Sequence, residues 1–247
     1  MVKPKILIWD IETSKSIVTT FSLFPNFISH KAIRQDWFII SAAWKWLGES
    51  KIHSISILDN KKDLFDDTAV TRKLRELTEE ADIIVHHNGD KFDLKKLHTR
   101  IIKHGIEPFH RKPLTIDTLK QARKHFSFTS NRLDYLGIFL GVGKKVPTED
   151  DLWEKVLDGD RKAIARMVHY NKGDVKLQEA VFKRLAPYID HPGFISDDRP
   201  RCQNVNCRSI HLVKNLLRYT AGGIPKQQYR CRDCGSYTTD KHRVKRG

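Results

Sequence analysis

The chain has 247 residues, a hydrophobic content of 39% and a formal net charge of +15. This length allows a domain of about 190 residues plus a small module. No stretch approaches the roughly 20 apolar residues of a transmembrane helix, and the first ten residues lack the apolar core and cleavage site of a signal peptide. These features exclude a membrane-spanning protein and predict a cytoplasmic one without membrane contact.

The first predicted strand, residues 5–10, leads into two carboxylates in the segment KILIWDIET. Residues two apart in a strand point to the same face, so Asp10 and Glu12 would project together. Two adjacent anions repel each other and need a compensating cation. A divalent metal is one answer and would indicate phosphoryl chemistry. A strand that simply ends in polar residues is the alternative, and this segment alone does not exclude it.

The next two predicted strands, residues 37–46 and 51–58, should form an antiparallel meander with the first. The connection before them contains Phe21, Phe24, Phe27 and His30. These side chains would either pack against the sheet or stack on the bases of a nucleic acid. The sequence leaves both alternatives open.

A second acidic segment, HHNGDKFDLKKL, follows a predicted strand at residues 83–87. Asp93 stands there at the start of a helical pattern. Asp90 beside Gly89 is typical of a turn. A further short strand, residues 115–117, should run parallel to the previous one and end at Asp117, which we expect to cap a helix or support the site. His86 and His87 are expected to be strand-end residues and not ligands.

The third acidic segment is VHYNKGDVKLQEAVFKRL, whose apolar residues recur at helical spacing. Tyr170 and Asp174 are four residues apart, so they share one face of the helix. An isolated Asp in a helix is normally solvated, so the order of the three segments carries the information.

Together the three segments resemble the DEDD superfamily of 3′–5′ exonucleases, over roughly residues 5–186. The first motif of that family, D-x-E, corresponds to Asp10 and Glu12. The second, N-x-x-x-F-D as in the proofreading domains of family B DNA polymerases, corresponds to Asn88, Phe92 and Asp93. The third, Y-x-x-x-D, ends at Asp174. The resemblance implies a ribonuclease H-like α/β fold, with a mixed sheet flanked by helices.

The resemblance also implies a site in which four carboxylates hold two Mg²⁺ or Mn²⁺ ions and two residues contact the substrate. The carboxylates would be Asp10, Glu12, Asp93 and Asp174, and the substrate-binding residues Asn88 and Phe92. Tyr170 would orient the attacking water. The other branch of the family has H-x-x-x-x-D, which His169 also satisfies. The spacing of the second motif and the helical phase favour Tyr170.

The C-terminal segment differs from the rest in charge and in cysteine content. Residues 199–247 contain 12 Lys or Arg and 2 acids, whereas residues 1–198 carry the remaining +5. This asymmetry indicates a polyanion contact. A Pro- and Gly-containing stretch, residues 188–200, is predicted to link this segment to the preceding domain.

All four cysteines lie in this segment, with the spacing C-x4-C and C-x2-C: Cys202, Cys207, Cys231 and Cys234. Such pairs predict one structural Zn²⁺, because a segment this short cannot bury much core without a metal. Two disulfides are the alternative, which a cytoplasmic chain disfavours. The stretch KQQYRCRDCGSYTT resembles the zinc ribbons of insertion-sequence transposases, which implies DNA binding.

The sequence thus predicts a ribonuclease H-like exonuclease domain at 1–187, a linker at 188–200 and a basic zinc ribbon at 201–247. The expected activity is metal-dependent 3′–5′ hydrolysis of nucleic acid, with DNA favoured over RNA. A resolvase-like, structure-specific endonuclease and an RNA-processing exoribonuclease on the same fold are the alternatives. A non-enzymatic nucleic-acid binder is a third, which the intact carboxylate set disfavours.

Overall fold

The structure is a computed structural model that describes residues 4–60, 63–110, 113–191 and 201–240. The strands of these segments are, in chain order, β1 (Ile6–Thr13), β2 (Ile17–Val18), β3 (Ile33–Gln35), β4 (Ile39–Trp46), β5 (His53–Ser56), β6 (Ile83–His86), β7 (Leu114–Asp117), β8 (Leu212–Tyr219), β9 (Pro225–Cys231) and β10 (Tyr237–Thr239). The α-helices are α1 (Thr68–Glu80), α2 (Asp93–Lys103), α3 (Thr118–His125), α4 (Leu133–Phe139), α5 (Leu152–Leu157) and α6 (Arg161–Leu185).

A five-stranded mixed sheet with the order β5-β4-β1-β6-β7 lies at the centre. Strand β4 runs antiparallel to its neighbours β1 and β5, while β6 runs parallel to both β1 and β7. The predicted meander, the two parallel strands and the mixed α/β fold are therefore confirmed. The observed ends differ from the predicted ones by up to three residues.

Strand β1 is longer than predicted, which places Asp10 and Glu12 inside the strand and not at its end. Its pairing with β6 stops at Ile8, whereas its pairing with β4 continues to Thr13 through a bulge. The second half of β1 therefore extends beyond β6. The two carboxylates lie on this overhang, next to the chain that leaves β6.

The two faces of β1 bury different clusters, because alternate side chains point in opposite directions. Ile6 and Ile8 pack with Val175 and Phe182 of α6, whereas the other face packs against α1 and α2 through Leu7, Trp9 and Ile11. Burying a side chain of this size stabilises the fold by about 1.5–3 kcal/mol. Asp10 and Glu12 continue the Ile6–Ile8 face, so they point towards α6.

Helix α6 has 25 residues and begins after Asp160, whose side chain accepts a hydrogen bond from the Lys162 amide at 2.8 Å. One face of α6 covers the sheet with apolar residues and also carries Asn171 and Asp174, both buried. Across the described segments, every helix is too short or too polar to cross a membrane.

The C-terminal unit has its own three-stranded antiparallel sheet, in the order β10-β9-β8. Ile189, directly after α6, and Val205 of this unit both belong to the hydrophobic cluster beneath α6. Residues 192–200 of the predicted linker and residues 241–247 of the predicted ribbon lie outside the described segments, so these boundaries stay predictions.

Candidate functional site

Three of the four predicted carboxylates meet between β1 and α6. Asp10, Glu12 and Asp174 each offer a carboxylate oxygen, and these oxygens all lie within 4.8 Å of one another. The first two residues share a face of β1, and the third lies on the buried face of α6. Hard oxygen ligands at this separation suit Mg²⁺ or Mn²⁺.

Asp93, the fourth predicted carboxylate, adjoins this group from the other side of β1. It is the first residue of α2 and is 4% exposed, and its Oδ1 accepts a hydrogen bond from the Ile11 amide at 3.3 Å. Its charge raises the pKa of Asp10, second only to burial among the causes. The structure therefore brings Asp93 next to Asp10 but outside the three-residue cluster.

The electrostatics of the group favour a bound cation. Burial, followed by the charge of Asp174, raises the pKa of Glu12 to about 8, and burial raises that of Asp93 to about 6. Oδ1 of Asp174 is buried and has no hydrogen-bond partner within the described residues. A divalent ion would offset the repulsion between these carboxylates and would coordinate the oxygen that lacks a hydrogen-bond donor.

Lys145 supplies the positive charge nearest to the carboxylates. Its Nζ lies 2.5 Å from Oδ2 of Asp174 and 3.0 Å from the hydroxyl of Tyr170. Burial lowers the pKa of Lys145, but the charge and hydrogen bond of Asp174 outweigh burial and raise it overall. Sequence reasoning did not assign this residue, although it lies in the stretch LDYLGIFLGVGKK that follows the second motif.

Tyr170 and His169 occupy different positions in α6. Tyr170 is half-buried and hydrogen-bonded to both Lys145 and Asp174. His169 is exposed, and it borders a cavity of about 360 Å³ that Tyr170 and Arg166 also line. Helix α6 begins at Arg161, so His169 is its ninth residue. Because His169 and Tyr170 are consecutive residues of one regular helix, their side chains point in different directions around its axis.

Asn171 is a second residue that the motifs did not identify. It is fully buried, and its Nδ2 donates to Oδ2 of Asp10 at 2.7 Å while its Oδ1 accepts from the Ser41 hydroxyl at 3.2 Å. The chain of contacts fixes the Asp10 carboxylate between β4 and α6. An Asn inside a helix gives no sequence signal for this contact, because it depends on packing between distant segments.

A groove of about 590 Å³ lies beside Lys145, the residue that contacts Asp174. Lys145 and Asn88 lie along it with Asn131 and two arginines, Arg123 and Arg132. Asn88 adopts a positive φ of 68°, and its amide donates to Oδ1 of Asp117 at 2.9 Å. Cations and amides along such a groove suit the phosphates and base edges of a nucleic-acid strand.

Phe92, the other predicted substrate-binding residue, directly precedes α2. Its ring is 41% exposed, and Nζ of Lys96 lies 5.5 Å from the ring centre. Phe92 is therefore an accessible aromatic surface one residue before Asp93.

The remaining polar residues of the second segment have structural partners. Asp117 caps α3 by accepting from the amides of Leu119 and Lys120, as expected. Asp90 binds Nε2 of His86 at 2.9 Å and Nζ of Lys120 at 2.5 Å. The buried His86 thus lies at the strand end, and these contacts hold the turn that carries Asn88.

The four cysteines form a second, separate cluster. The Sγ atoms of Cys202 and Cys234 lie 3.5 Å apart and those of Cys207 and Cys231 lie 3.7 Å apart, and all four sulfurs are within 4.8 Å of one another. The cysteines are free, not disulfide-bonded. Tetrahedral Zn–S bonds of about 2.3 Å put the sulfurs about 3.8 Å apart, so the cluster fits a Zn²⁺ ion.

Each cysteine pair ends in a backbone turn of the same kind. Arg208 follows Cys207 with a φ of 54°, and Gly235 follows Cys234 with a φ of 76°. The amide of Gly235 donates to the carbonyl of Cys231 at 3.0 Å. Hydrogen bonds from Ser236 and from the neighbouring cysteines outweigh burial and lower the pKa of Cys234 to about 7. This thiol is therefore more readily available as a thiolate ligand than those of Cys202 and Cys207, whose pKa burial raises.

One face of the C-terminal sheet is basic. Arg218 pairs directly with Lys226, and Arg230 pairs with Tyr237, so these side chains share a face across three strands. The opposite face of β9 carries the buried residues Pro225 and Cys231. The outward face therefore presents three cations and an aromatic ring, a set that suits a nucleic-acid backbone.

Comparison with known families identifies the main domain. The family model of the RNase_H superfamily matches residues 36–186, more than half of the chain, and the chain belongs to this superfamily. The matched range includes Asn88, Asp93, Tyr170 and Asp174 and begins after Asp10 and Glu12. No curated protein sequence matches the chain significantly.

Among solved structures, the chain is similar to that of the family B DNA polymerase from the hyperthermophilic archaeon Pyrobaculum calidifontis. The TM-score is 0.54 and the sequence identity is 18%, over 74% of this chain and 25% of the polymerase. The chain thus spans a quarter of that protein's length. The likeness is one of fold.

Proposed function

We propose that the chain is a metal-dependent 3′–5′ exonuclease that hydrolyses DNA, of the branch with tyrosine in the third motif. The observation that carries the proposal is the meeting of Asp10, Glu12 and Asp174 within 4.8 Å, drawn from opposite ends of the domain. The repulsion between these carboxylates and the raised pKa of Glu12 support a role in cation binding. The fold likeness to a family B DNA polymerase supports a DNA substrate.

In this proposal Asp10, Glu12, Asp93 and Asp174 hold two Mg²⁺ or Mn²⁺ ions. Such ions, when bound, polarise the phosphodiester and lower the pKa of a bound water. Tyr170 orients that water through its hydroxyl, since a phenol with a pKa near 10 is a poor base at neutral pH. Lys145 lies between this hydroxyl and the groove, where its cation binds a substrate phosphate. Asn88 and Phe92 hold the terminal nucleotides.

The cysteine cluster has a structural role in the same proposal. One Zn²⁺ on Cys202, Cys207, Cys231 and Cys234 holds the C-terminal sheet together. The basic face with Arg218, Lys226 and Arg230 then binds phosphates away from the cleavage site. The ribbon adds affinity for the strand and takes no part in hydrolysis.

The experiment that tests the activity is a digestion of labelled single strands with Mg²⁺ or Mn²⁺. A 3′-labelled DNA oligonucleotide should release labelled mononucleotide at once, while a 5′-labelled one should shorten stepwise. A circular single strand should stay intact, and an RNA oligonucleotide should be cut more slowly. The Asp10→Asn protein is the control for contaminating nucleases. Cleavage of the circle would replace the proposal with an endonuclease, and faster cleavage of RNA would replace it with an exoribonuclease.

A further inference from the structure

The connection between β1 and β4 carries an unusual set of exposed apolar side chains. Residues 19–32, here called the aromatic loop, contain Phe21, Phe24 and Phe27 at 114%, 89% and 82% exposure, and Leu23 at 91%. Soluble proteins seldom expose contiguous large apolar groups unless the patch binds something. The alternative that these phenylalanines pack against the sheet is therefore excluded.

The base of the loop is fixed although its tip is exposed. Strands β2 and β3 pair directly below it, and the Thr19 amide donates to the Ala32 carbonyl at 2.9 Å. Below these strands, Nε1 of Trp153 donates to the carbonyl of Thr13 at 3.2 Å. The loop is therefore a hairpin whose base is fixed by hydrogen bonds, and its apolar tip does not fold back onto the domain.

The loop begins close to the carboxylates. Nine residues separate Glu12 from Phe21, which at about 3.3 Å per residue places the tip at most about 30 Å from the site. At about 3.4 Å per nucleotide in one strand, this distance corresponds to fewer than about ten nucleotides. A strand whose end lies among the carboxylates can therefore reach the loop.

The charges of the loop favour a polyanion as its partner. The segment from residue 14 to residue 35 contains Lys15, Lys31 and Arg34 and no Asp or Glu. Lys31 lies in a 3-10 turn at residues 30–32 and Arg34 in β3; both are exposed, whereas Lys15 is paired with Glu154. Flat rings at the tip and cations at the base match the bases and phosphates of an unpaired strand, since every base offers a face for stacking.

We propose that the aromatic loop binds single-stranded nucleic acid, with Phe21, Phe24 and Phe27 stacking on unpaired bases of the strand whose end lies in the active site. This inference rests on the proposed function for the identity of the strand. It assigns the loop to holding the substrate, and the chemistry stays with the carboxylates. The loop therefore selects unpaired over duplex substrate.

The test separates stacking from simple apolar contact. Two triple variants replace Phe21, Phe24 and Phe27, one with Leu and one with Tyr, both combined with Asp10→Asn so that bound strands stay intact. Fluorescence anisotropy with a labelled 12-nucleotide DNA strand gives the dissociation constant. We expect the Leu variant to bind at least about tenfold more weakly, because stacking on bases is lost. The Tyr variant should bind within about twofold of the parent.

Two controls make the result specific. Ile102→Ala removes an exposed apolar side chain, 81% accessible, at the far end of α2 and should leave affinity unchanged. A strand with abasic sites should bind the parent and the Leu variant equally, because such a strand offers no base on which a ring can stack. Circular dichroism and zinc content of the variants check that the fold is intact.

Equal affinities of the Leu variant and the parent for the normal strand would overturn the proposal. So would a change in sedimentation mass on Phe→Leu substitution with unchanged DNA affinity, because the loop would then bind a second copy of the chain. These binding measurements do not depend on hydrolysis. A protein that binds strands through the loop but cleaves none would refute the proposed exonuclease and leave the loop's role standing.

Discussion

The carboxylate cluster and the cysteine cluster bring ligand atoms together in opposite ways. The carboxylates come from β1 and α6, at least 162 residues apart in the chain, and Lys145, which contacts Asp174, also lines a groove with Arg123 and Arg132. The sulfurs come from two turns of one small sheet, where Cys202 and Cys231 are buried and Cys207 and Cys234 are partly exposed. The first cluster, here called the open site, lies near a groove that a substrate can occupy, whereas four thiolates complete the tetrahedral shell of one ion and make the second cluster the closed site.

The two clusters therefore depend on different kinds of support. The carboxylates are held by a core of buried Ile, Leu and Trp side chains, so the domain can fold before any cation binds. The cysteine unit has few buried apolar residues, and a small unit of this kind normally needs its metal to fold. An open site on a rigid support is typical of catalysis, and a closed set of four thiolates is typical of a structural ion.

The strongest test of this contrast removes one charge from the open site. Asp10→Asn or Asp174→Asn should lower the rate of strand hydrolysis by at least about a thousandfold, which equals about 4 kcal/mol of transition-state stabilisation. Zinc content should stay at one ion per chain, because the cysteines do not contact these residues. Rates come from single-turnover digestion. Activity that survives both substitutions in a folded protein would refute the assignment.

The next test concerns the residue that orients the water. Tyr170→Phe should slow hydrolysis by about a hundredfold, because the hydroxyl beside Lys145 and Asp174 is lost. His169→Gln should change the rate by less than about threefold, because this side chain is exposed, whereas Tyr170 is hydrogen-bonded to Lys145 and Asp174. The reverse ranking would place the protein in the histidine branch. Its pH–rate profile would then show a limb near the pKa of an imidazole.

The sequence predicted the sheet well because strands depend on local pattern: alternation and apolar runs indicate them. Asp10 and Glu12 were identified as candidates only through the order of the three acidic segments, and the structure brings both together with Asp174. Lys145 and Asn171 were missed because their roles depend on contacts with β1 and with other helices. Lys145 contacts Asp174 from 29 residues away, and Asn171 contacts Asp10 from 161 residues away.

One predicted boundary was wrong for a physical reason. The end of β1 was placed three residues early, because pairing with β4 extends the strand past its apolar run. A tertiary contact therefore sets this boundary.

The basic face of the C-terminal sheet, next to the closed site, should affect nucleic-acid binding and leave hydrolysis intact. The triple variant Arg218→Gln, Lys226→Gln, Arg230→Gln should weaken binding of single-stranded DNA and reduce the slope of log affinity against log salt by about 2, because about 0.7 counterion is released per contact. The matched triple Lys73→Gln, Lys103→Gln, Lys162→Gln should not change the slope. Both are measured by titration at several salt concentrations.

The metal of the closed site can be removed separately. Cys234→Ser should abolish zinc binding and produce the same loss of affinity, while hydrolysis of saturating substrate stays within about threefold of the parent. Elemental analysis that finds no zinc in the parent, purified under reducing conditions, would contradict the metal assignment. An unchanged salt slope in the charge variant would contradict the phosphate contact separately.

The smallest expected effect is a pH dependence of stability that belongs to the open site alone. Glu12 has a pKa of about 8 in the folded protein against 4.5 as its ordinary value, so between these values the folded state holds more protons than the unfolded state. Stability from this group is full below pH 4.5 and is lost as the pH rises through 8.

The measurement uses a chelator that removes divalent ions from the carboxylates but leaves zinc on the cysteines. The melting temperature should then fall by about 5 °C between pH 5 and pH 8. Mn²⁺ should restore it more at pH 8 than at pH 5, because the ion binds the deprotonated carboxylates. Glu12→Gln should make this profile less steep without removing it, because burial also raises the pKa of Asp93, to about 6, whereas Glu76→Gln, on the exposed surface of α1, should leave it unchanged. A profile that stays flat in the parent, or whose slope is the same after Glu12→Gln, would show that Glu12 does not limit the stability of the domain.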